Sequence, residues 1–141
     1  MASTISMTAT GQRPIDVVRS DYAAFADRDI PRLLDLVADD VVWGEPDNNL
    51  IPSAGTRRGG SGVPEWLEIG RATEDLLSLE PRQLIAGGET VVVVGQTRVR
   101  ARSSGRDYGT DFVHLVTVRD GTIASFQEFF DTFVAAEAFR T

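Results

Sequence analysis

The stretch FVHLVTVRDGTIASFQEFFDT, residues 112–132, decides the fold because it predicts two adjacent strands and the turn between them. Val, Phe and Thr are frequent on both sides of Asp120–Gly121, a dipeptide that strongly favours a two-residue hairpin turn. A two-residue turn pairs Arg119 with Thr122 and thereby fixes the pairing of the residues that follow. The register of this hairpin predicts which side chains share each face of the sheet.

Two acidic residues fall on one apolar face in this register. The count outward from the turn places Val113 opposite Glu128 and Asp111 opposite Phe130. Asp111 and Glu128 are then diagonal neighbours, roughly 7–8 Å apart. Burial and mutual repulsion keep one carboxyl group protonated near neutral pH while the other ionises, which supplies an acid and a base. The alternative is that both acids lie at the solvated rim of the sheet.

The opposite face of the predicted hairpin is also largely apolar and therefore needs cover. We expect a second copy of the chain to bury Phe112, Val116 and Phe129 in an isologous homodimer. The alternative is that the N-terminal tail or the C-terminal segment FVAAEAF folds over this face. His114 lies here and is structural in this register, whereas one β-bulge would turn it towards Glu128 as a catalytic partner.

The chain before the hairpin changes from helical to strand periodicity. Helical spacing predicts a first helix that begins at Pro14 and a second that begins after Asp29. A third helix is predicted to begin at Ser61 or Gly62, with a buried side that extends to Leu77. Helices on one face of an antiparallel sheet are typical of an α+β architecture. The predicted strands are Val41–Glu45, Leu84–Ala86, Thr90–Arg102, Tyr108–Arg119 and Thr122–Asp131.

Composition excludes several kinds of chemistry. The 141 residues contain no Cys and no Lys, and His114 is the one histidine, so thiol nucleophiles, lysine Schiff bases and histidine-rich metal sites are excluded. The net charge of −7 disfavours nucleic acid and anionic membranes as partners. We expect a flexible tail at residues 1–12, a single domain at residues 13–141, and a cytoplasmic location without a secretory signal.

Further candidate site residues precede the hairpin. Trp43 and Glu45 share a face of the first strand, as a pocket wall with a base or as a core Trp with a surface acid. Tyr22 lies on the apolar stripe of the first helix, where its hydroxyl needs a partner. Asp21 lies at the margin of that stripe and is expected to be solvated. Trp66 is expected in the core, where it could line the same cavity.

Three stretches of the sequence carry a resemblance to a known family. Residues 18–46 (VRSDYAAFADRDIPRLLDLVADDVVWGEP), 51–67 (IPSAGTRRGGSGVPEWL) and 112–132 resemble SnoaL-like polyketide cyclases and, in the first stretch, ketosteroid isomerase. Both belong to the nuclear transport factor 2-like (NTF2-like) superfamily, and the resemblance covers about residues 14–133. It implies a curved sheet wrapped by three helices into a cone with a pocket at one end. It also implies dimers formed through the outer sheet face.

The resemblance assigns roles to individual residues. The catalytic base of ketosteroid isomerase corresponds to Glu45, while its two oxyanion-hole donors correspond to Asp21 and Val113, which disfavours steroid isomerisation. The acid/base residue of the cyclases corresponds to Glu128. Asp131 matches a common family acid, but the hairpin count places it on the outer face as a structural residue. Limonene epoxide hydrolase is a related enzyme whose catalytic arginine has no convincing counterpart here.

These observations favour an enzyme that uses no metal and no organic cofactor. Glu128 would move a proton next to the carbonyl group of a small apolar substrate, with Asp111 or Glu45 as the second acid/base group, in isomerisation or intramolecular aldol cyclisation. An epoxide hydrolase with paired carboxylates is one alternative, and a non-catalytic binding or scaffold protein is another. The expected substrate-binding residues are Tyr22, Trp43, Trp66, Val113, Phe126 and Phe130.

Overall fold

The computed structural model describes residues 13–141, which form four helices and six strands. The predicted flexible tail at residues 1–12 lies outside the described residues. The helices are α1 (Pro14–Ala26), α2 (Ile30–Asp35), α3 (Gly62–Thr73) and α4 (Thr132–Phe139). The strands are β1 (Val37–Glu45), β2 (Gly55–Arg58), β3 (Glu74–Gly87), β4 (Thr90–Ala101), β5 (Asp107–Arg119) and β6 (Thr122–Phe130).

All six strands belong to one curved, unclosed sheet in the order β2-β1-β6-β5-β4-β3. The predicted α+β class and the meander from β3 to β6 are confirmed. The sheet is not purely antiparallel, because β1 runs parallel to β6. This pairing places the end of β1 beside the second half of β6, so residues of the first and last strands share one site.

The helices α1 and α2 begin where the sequence predicts them to begin. Pro14 occupies the first turn of α1, where its missing N–H costs no hydrogen bond. The Asp29 carboxylate accepts a hydrogen bond from the backbone N–H of Arg32 at 3.2 Å and so caps α2. Among residues 13–141, none of the helices has the length and apolar character needed to cross a membrane.

The boundary between α3 and β3 differs from the prediction. The sequence predicts a helix whose buried side extends to Leu77 and a strand only at Leu84–Ala86. The structure ends the helix at Thr73 and continues directly into β3, which pairs with β4 over its whole length. Pairing with a long neighbouring strand outweighs the helical spacing of a few apolar residues.

The predicted hairpin turn at Asp120–Gly121 is confirmed, with φ angles of 55° and 80° at its two residues. The predicted register holds only for the two pairs next to the turn. Thr117 then pairs with Ser125, which leaves Ala124 as the additional residue of a β-bulge. The bulge shifts every later pair by one residue.

The shift reverses the predicted faces of β5. His114 pairs with Glu128 in place of Val113, so the side chains that join those of β6 on the concave face are Phe112, His114 and Val116. Phe112 and Val116 are each 1% exposed. The prediction that they form a dimer interface is therefore wrong, whereas Phe129 does lie on the outer face, 52% exposed.

Candidate active site

A cavity of about 830 Å³, including its open mouth, lies between the concave face of the sheet and the helices. Five of the six predicted substrate-binding residues line it, namely Tyr22, Trp43, Trp66, Phe126 and Phe130. The predicted acids Glu45 and Glu128 also line it. The cavity therefore combines apolar aromatic walls with carboxyl groups.

The aromatic wall follows from the parallel pairing of β1 with β6. Trp43 and Phe126 are register partners, so their rings project from neighbouring positions on the same face. They stack with centroids 4.1 Å apart and planes 8° apart. The ring centroid of Trp66 on α3 lies 5.2 Å from that of Trp43, so Trp66 extends the aromatic wall towards the helices. These contacts give the cavity a flat apolar side next to its acids.

Glu128 and His114 form a hydrogen-bonded pair inside the cavity. Nε2 of His114 lies 2.7 Å from Oε2 of Glu128, and the two side chains are only 6% and 17% exposed, respectively. The imidazole ring lies between Phe112 and Phe126, with centroid distances of 4.2 and 4.7 Å. Packing and pairing together hold the histidine against the Glu128 carboxylate.

Tyr22 fixes the orientation of this histidine from the other side. Its hydroxyl contacts Nδ1 of His114. Burial and the charges of neighbouring carboxyl groups raise the pKa of Tyr22, so its hydroxyl stays protonated and donates to Nδ1. The proton of a neutral imidazole then resides on Nε2, which donates to Glu128. The hydroxyl partner that the sequence requires for a buried tyrosine is thus His114.

Two glutamates of the cavity, Glu45 and Glu128, have pKa values shifted in opposite directions. Burial disfavours the ionised form of Glu128, but the hydrogen bonds it receives, first from His114 and then from Glu45, favour the carboxylate, and the pKa of Glu128 is lowered. Burial and the nearby charge of Glu128 raise the pKa of Glu45 well above its ordinary value. The surroundings therefore favour the carboxylate form of Glu128 and the neutral acid form of Glu45. The sequence predicted such a division, with Asp111 as one partner of Glu128.

Two further cavity residues were not predicted from the sequence. Glu74 begins β3, and burial together with the charge of Glu128 raises its pKa to about 7. Tyr108 also lines the cavity, and burial raises its pKa. Glu74 was not predicted as a site residue because the sequence pattern places it inside the third helix. Its position depends on where α3 ends.

Asp21 is buried, contrary to the expectation that it is solvated. It is 7% exposed, lines the cavity, and has its pKa raised to about 7 by burial. The available signal was its helical spacing from Val17 and Val18, which belong to the buried side of α1. Within residues 13–141, the buried polar atoms Oδ1 of Asp21, Nε1 of Trp43 and Oε2 of Glu45 have no hydrogen-bond partner.

The remaining predicted site residues lie outside the cavity. Asp111 is exposed on the outer face, where its Oδ1 accepts a hydrogen bond from Gln96 at 3.0 Å. The prediction that Asp111 and Val113 line the pocket is wrong. The bulge in β6 shifts the pairing with β5 by one residue, and the side chains of Asp111 and Val113 therefore lie on the other face. Asp131 caps α4 by accepting from the backbone N–H of Phe133 and Val134 at 3.1 and 3.3 Å.

Among residues 13–141, no three His, Asp or Glu side chains are grouped as ligands for a metal ion. The absence of a metal or organic cofactor from the reaction stays a prediction. The polar groups of the described cavity are carboxyl, imidazole, hydroxyl and indole groups. These groups can move protons and bind oxygen or nitrogen atoms of a ligand.

Comparison with known proteins agrees with the geometry. A family model described as a SnoaL-like domain matches residues 18–126. An NTF2-like protein from Burkholderia xenovorans LB400 is 31% identical, with a TM-score of 0.83 over 90% of this chain and 95% of that chain. No protein of curated function matches the chain.

Two other solved structures extend the comparison. TerC, co-crystallised with polyporic acid, is 33% identical, with a TM-score of 0.81 over 91% of this chain and 98% of that chain. A structure from Mesorhizobium loti, described as a candidate SnoaL-like polyketide cyclase, is 13% identical, with a TM-score of 0.70 over 84% of this chain and 99% of that chain. At that identity the second structure supports the fold alone.

Proposed function

Since the chain belongs to the SnoaL-like domain family, we propose that it is a cofactor-independent enzyme that transfers a proton next to a carbonyl group. The substrate is a small, mainly apolar carbonyl compound, and the outcome is isomerisation or intramolecular aldol cyclisation. The observation that carries this proposal is the Glu128–His114 pair beside Glu45 in an aromatic cavity.

Glu128 is the general base in this mechanism. Its carboxylate removes a proton from the carbon next to the carbonyl group, and the electron pair of that C–H bond moves onto the carbonyl oxygen. Glu45, as a neutral acid, donates a hydrogen bond to the enolate oxygen that develops. Glu128 then returns the proton to a different carbon in isomerisation. In cyclisation the enolate carbon attacks a second carbonyl group of the same molecule, the π electrons of that C=O bond move onto its oxygen, and the resulting alkoxide takes the proton back from Glu128.

His114 and Tyr22 position the base. Nε2 of His114 donates to Oε2 of Glu128, and Oε1 is the oxygen assigned to remove the substrate proton. Because the Tyr22 hydroxyl binds Nδ1, the imidazole ring is held from both sides. The aromatic rings exclude water and so strengthen the hydrogen bonds made to a developing enolate.

Deuterium exchange into 2-tetralone tests the proposal without knowledge of the natural substrate. This ketone has an aromatic ring, and its acidic C–H bonds exchange in D₂O through the proposed enolate. We expect Glu128→Gln to lower the catalysed exchange rate by at least about 100-fold, the lower range for a general base. Glu137→Gln is the matched control, because Glu137 is exposed on α4, where its carboxylate pairs with Arg140.

Binding is measured separately, so that lost catalysis and lost affinity are distinguished. Both tryptophans of the chain line the cavity, and their fluorescence reports a bound ligand. Polyporic acid, the compound co-crystallised with TerC, is a second binding probe. Equal exchange in the parent protein and Glu128→Gln would contradict the proposal. Binding of 2-tetralone by the parent protein without catalysed exchange would contradict it as well.

A further inference from the structure

Asp21 is a buried acid that the proposed proton transfer does not use. Its side chain lies on the helical wall of the cavity, whereas Glu45 and Glu128 lie on the sheet wall. Within residues 13–141, Oδ1 of Asp21 has no hydrogen-bond partner. The nearby hydroxyl of Tyr22 does not satisfy it, because that hydroxyl binds His114.

The fold itself gives no reason for a carboxyl group at this position. The buried side of α1 otherwise consists of Val17, Val18 and Ala24. Burial of a polar atom without a partner costs free energy, and an apolar side chain would avoid this cost. Destabilising groups of this kind are common in binding sites, where a ligand supplies the missing partner.

The position of Asp21 points to the ligand as that partner. A ligand bound by Glu45 and Glu128 at the sheet wall occupies the space between them and α1. We propose that Asp21 is a second polar anchor, which binds a hydroxyl group of the ligand remote from the carbonyl group handled by Glu128. A hydroxyl group both donates and accepts, so it fits either protonation state of the carboxyl group.

This inference deepens the proposed function and rests on it, because it takes the Glu45–Glu128 pair as the reacting end of the cavity. It also narrows the substrate class. The ligand carries at least two oxygen functions on a mainly apolar frame, one at each wall. The aromatic rings of Trp43, Trp66 and Phe126 contact the frame between them.

A comparison of 2-naphthol with 2,6-dihydroxynaphthalene tests the inference by binding alone. The two probes share a flat frame and one hydroxyl group, and only the second has a hydroxyl at the far end. We expect the parent protein to bind the diol about tenfold more tightly, as one added hydrogen bond to a buried carboxyl group allows. Asp21→Ala should abolish this preference while it still binds 2-naphthol.

Two further variants separate a binding role from a structural one. Asp21→Asn keeps an oxygen at the same place and should retain most of the preference. Asp16→Asn makes the same change on the exposed side of α1, where Asp16 pairs with Arg13, and should retain all of it. Thermal unfolding of Asp21→Ala should occur at the same or a higher temperature than that of the parent protein.

Three results would overturn the inference. These are an unchanged diol preference in Asp21→Ala, no diol preference or no diol binding in the parent protein, and unfolding of Asp21→Ala at a clearly lower temperature. None of them depends on turnover. A failure of the proposed proton transfer appears instead in the Glu128→Gln exchange rates, so the two claims fail separately.

Discussion

Glu45 and Glu128 are the same residue type in one cavity, yet their surroundings favour the ionised form of Glu128 and the neutral form of Glu45. Glu128 receives a hydrogen bond from His114, which offsets the cost of burying its charge. Glu45 has an unpartnered Oε2 among the residues described and lies beside the charge of Glu128, so it keeps its proton. The hydrogen bond from His114 thus favours Glu128 as the base, and the burial of Glu45 favours it as the acid.

Replacement of His114 by Phe should shift the pH dependence of catalysis upward. The variant keeps a ring between Phe112 and Phe126 but removes the donor that lowers the pKa of Glu128. The pKa of Glu128 then rises, and the carboxylate base is present only at higher pH. We expect the midpoint of the pH–rate profile for 2-tetralone exchange to move up by at least one pH unit.

Thr97→Val is the control for this shift. Thr97 lines the same cavity, but its hydroxyl donates its hydrogen bond to the backbone carbonyl of Ser78 at 2.9 Å. The control should leave the midpoint unchanged. A midpoint in His114→Phe at or below that of the parent protein would show that the histidine does not favour the ionised form of Glu128.

The bulge at Ala124 is the element that brings the site together. Without this extra residue, Val113 would face Glu128, and His114 would lie on the outer face. Side-chain alternation in the sequence is continuous on each side of Ala124 and gives no sign of an insertion. The sequence alone could therefore identify Glu128, on β6, but could not decide between Val113 and His114 as its neighbour across the hairpin.

The position at which α3 ends decides whether Glu74 reaches the cavity, and the sequence did not reveal this position either. Helical spacing of apolar residues continues past Thr73, so the sequence contains no clear stop signal before Glu74. The strand that begins there exists because β4 is available to pair with it, which is information from a distant part of the chain. Long-range pairing of this kind explains why Glu74 was missed while the turn at Asp120–Gly121 was found.

At the scale of the molecule, the fold class could be predicted because many local signals agree. Helix caps, periodicity, the hairpin turn and the family resemblance all indicate the same α+β architecture. The cavity could not be predicted in the same way, because it joins residues from the three helices α1 to α3 and from the five strands β1 and β3 to β6. Five of its aromatic residues could be predicted from the pattern of their own elements, whereas the partners of each acid depend on how those elements meet.

The outer face of the sheet keeps an apolar patch, and the homodimer stays a prediction. Ile85, Leu115 and Phe129 are 50%, 40% and 52% exposed on the strands β3, β5 and β6. A patch of this kind on a sheet is typical of an interface. We propose that a second copy of the chain covers it, with these residues in place of Phe112 and Val116.

Sedimentation of the purified protein at micromolar concentration tests this proposal. We expect a dimer, and we expect Phe129→Asp to raise its dissociation constant by at least about tenfold through burial of an unpaired charge. Ile30→Asp is the control, because Ile30 is 36% exposed and belongs to helix α2 rather than to a strand of the sheet. A monomeric parent protein, or an equal effect of both substitutions, would contradict the proposal.

The division of charge between the two glutamates is the central claim, and carboxyl ¹³C NMR measures it most directly. Protein labelled at the glutamate side-chain carboxyl carbon is titrated with acid and base, and Glu45→Gln and Glu128→Gln assign the two signals. The account predicts that Glu128 ionises below the ordinary glutamate pKa while Glu45 keeps its proton well above it. Ionisation of Glu45 at or before Glu128 would contradict the account.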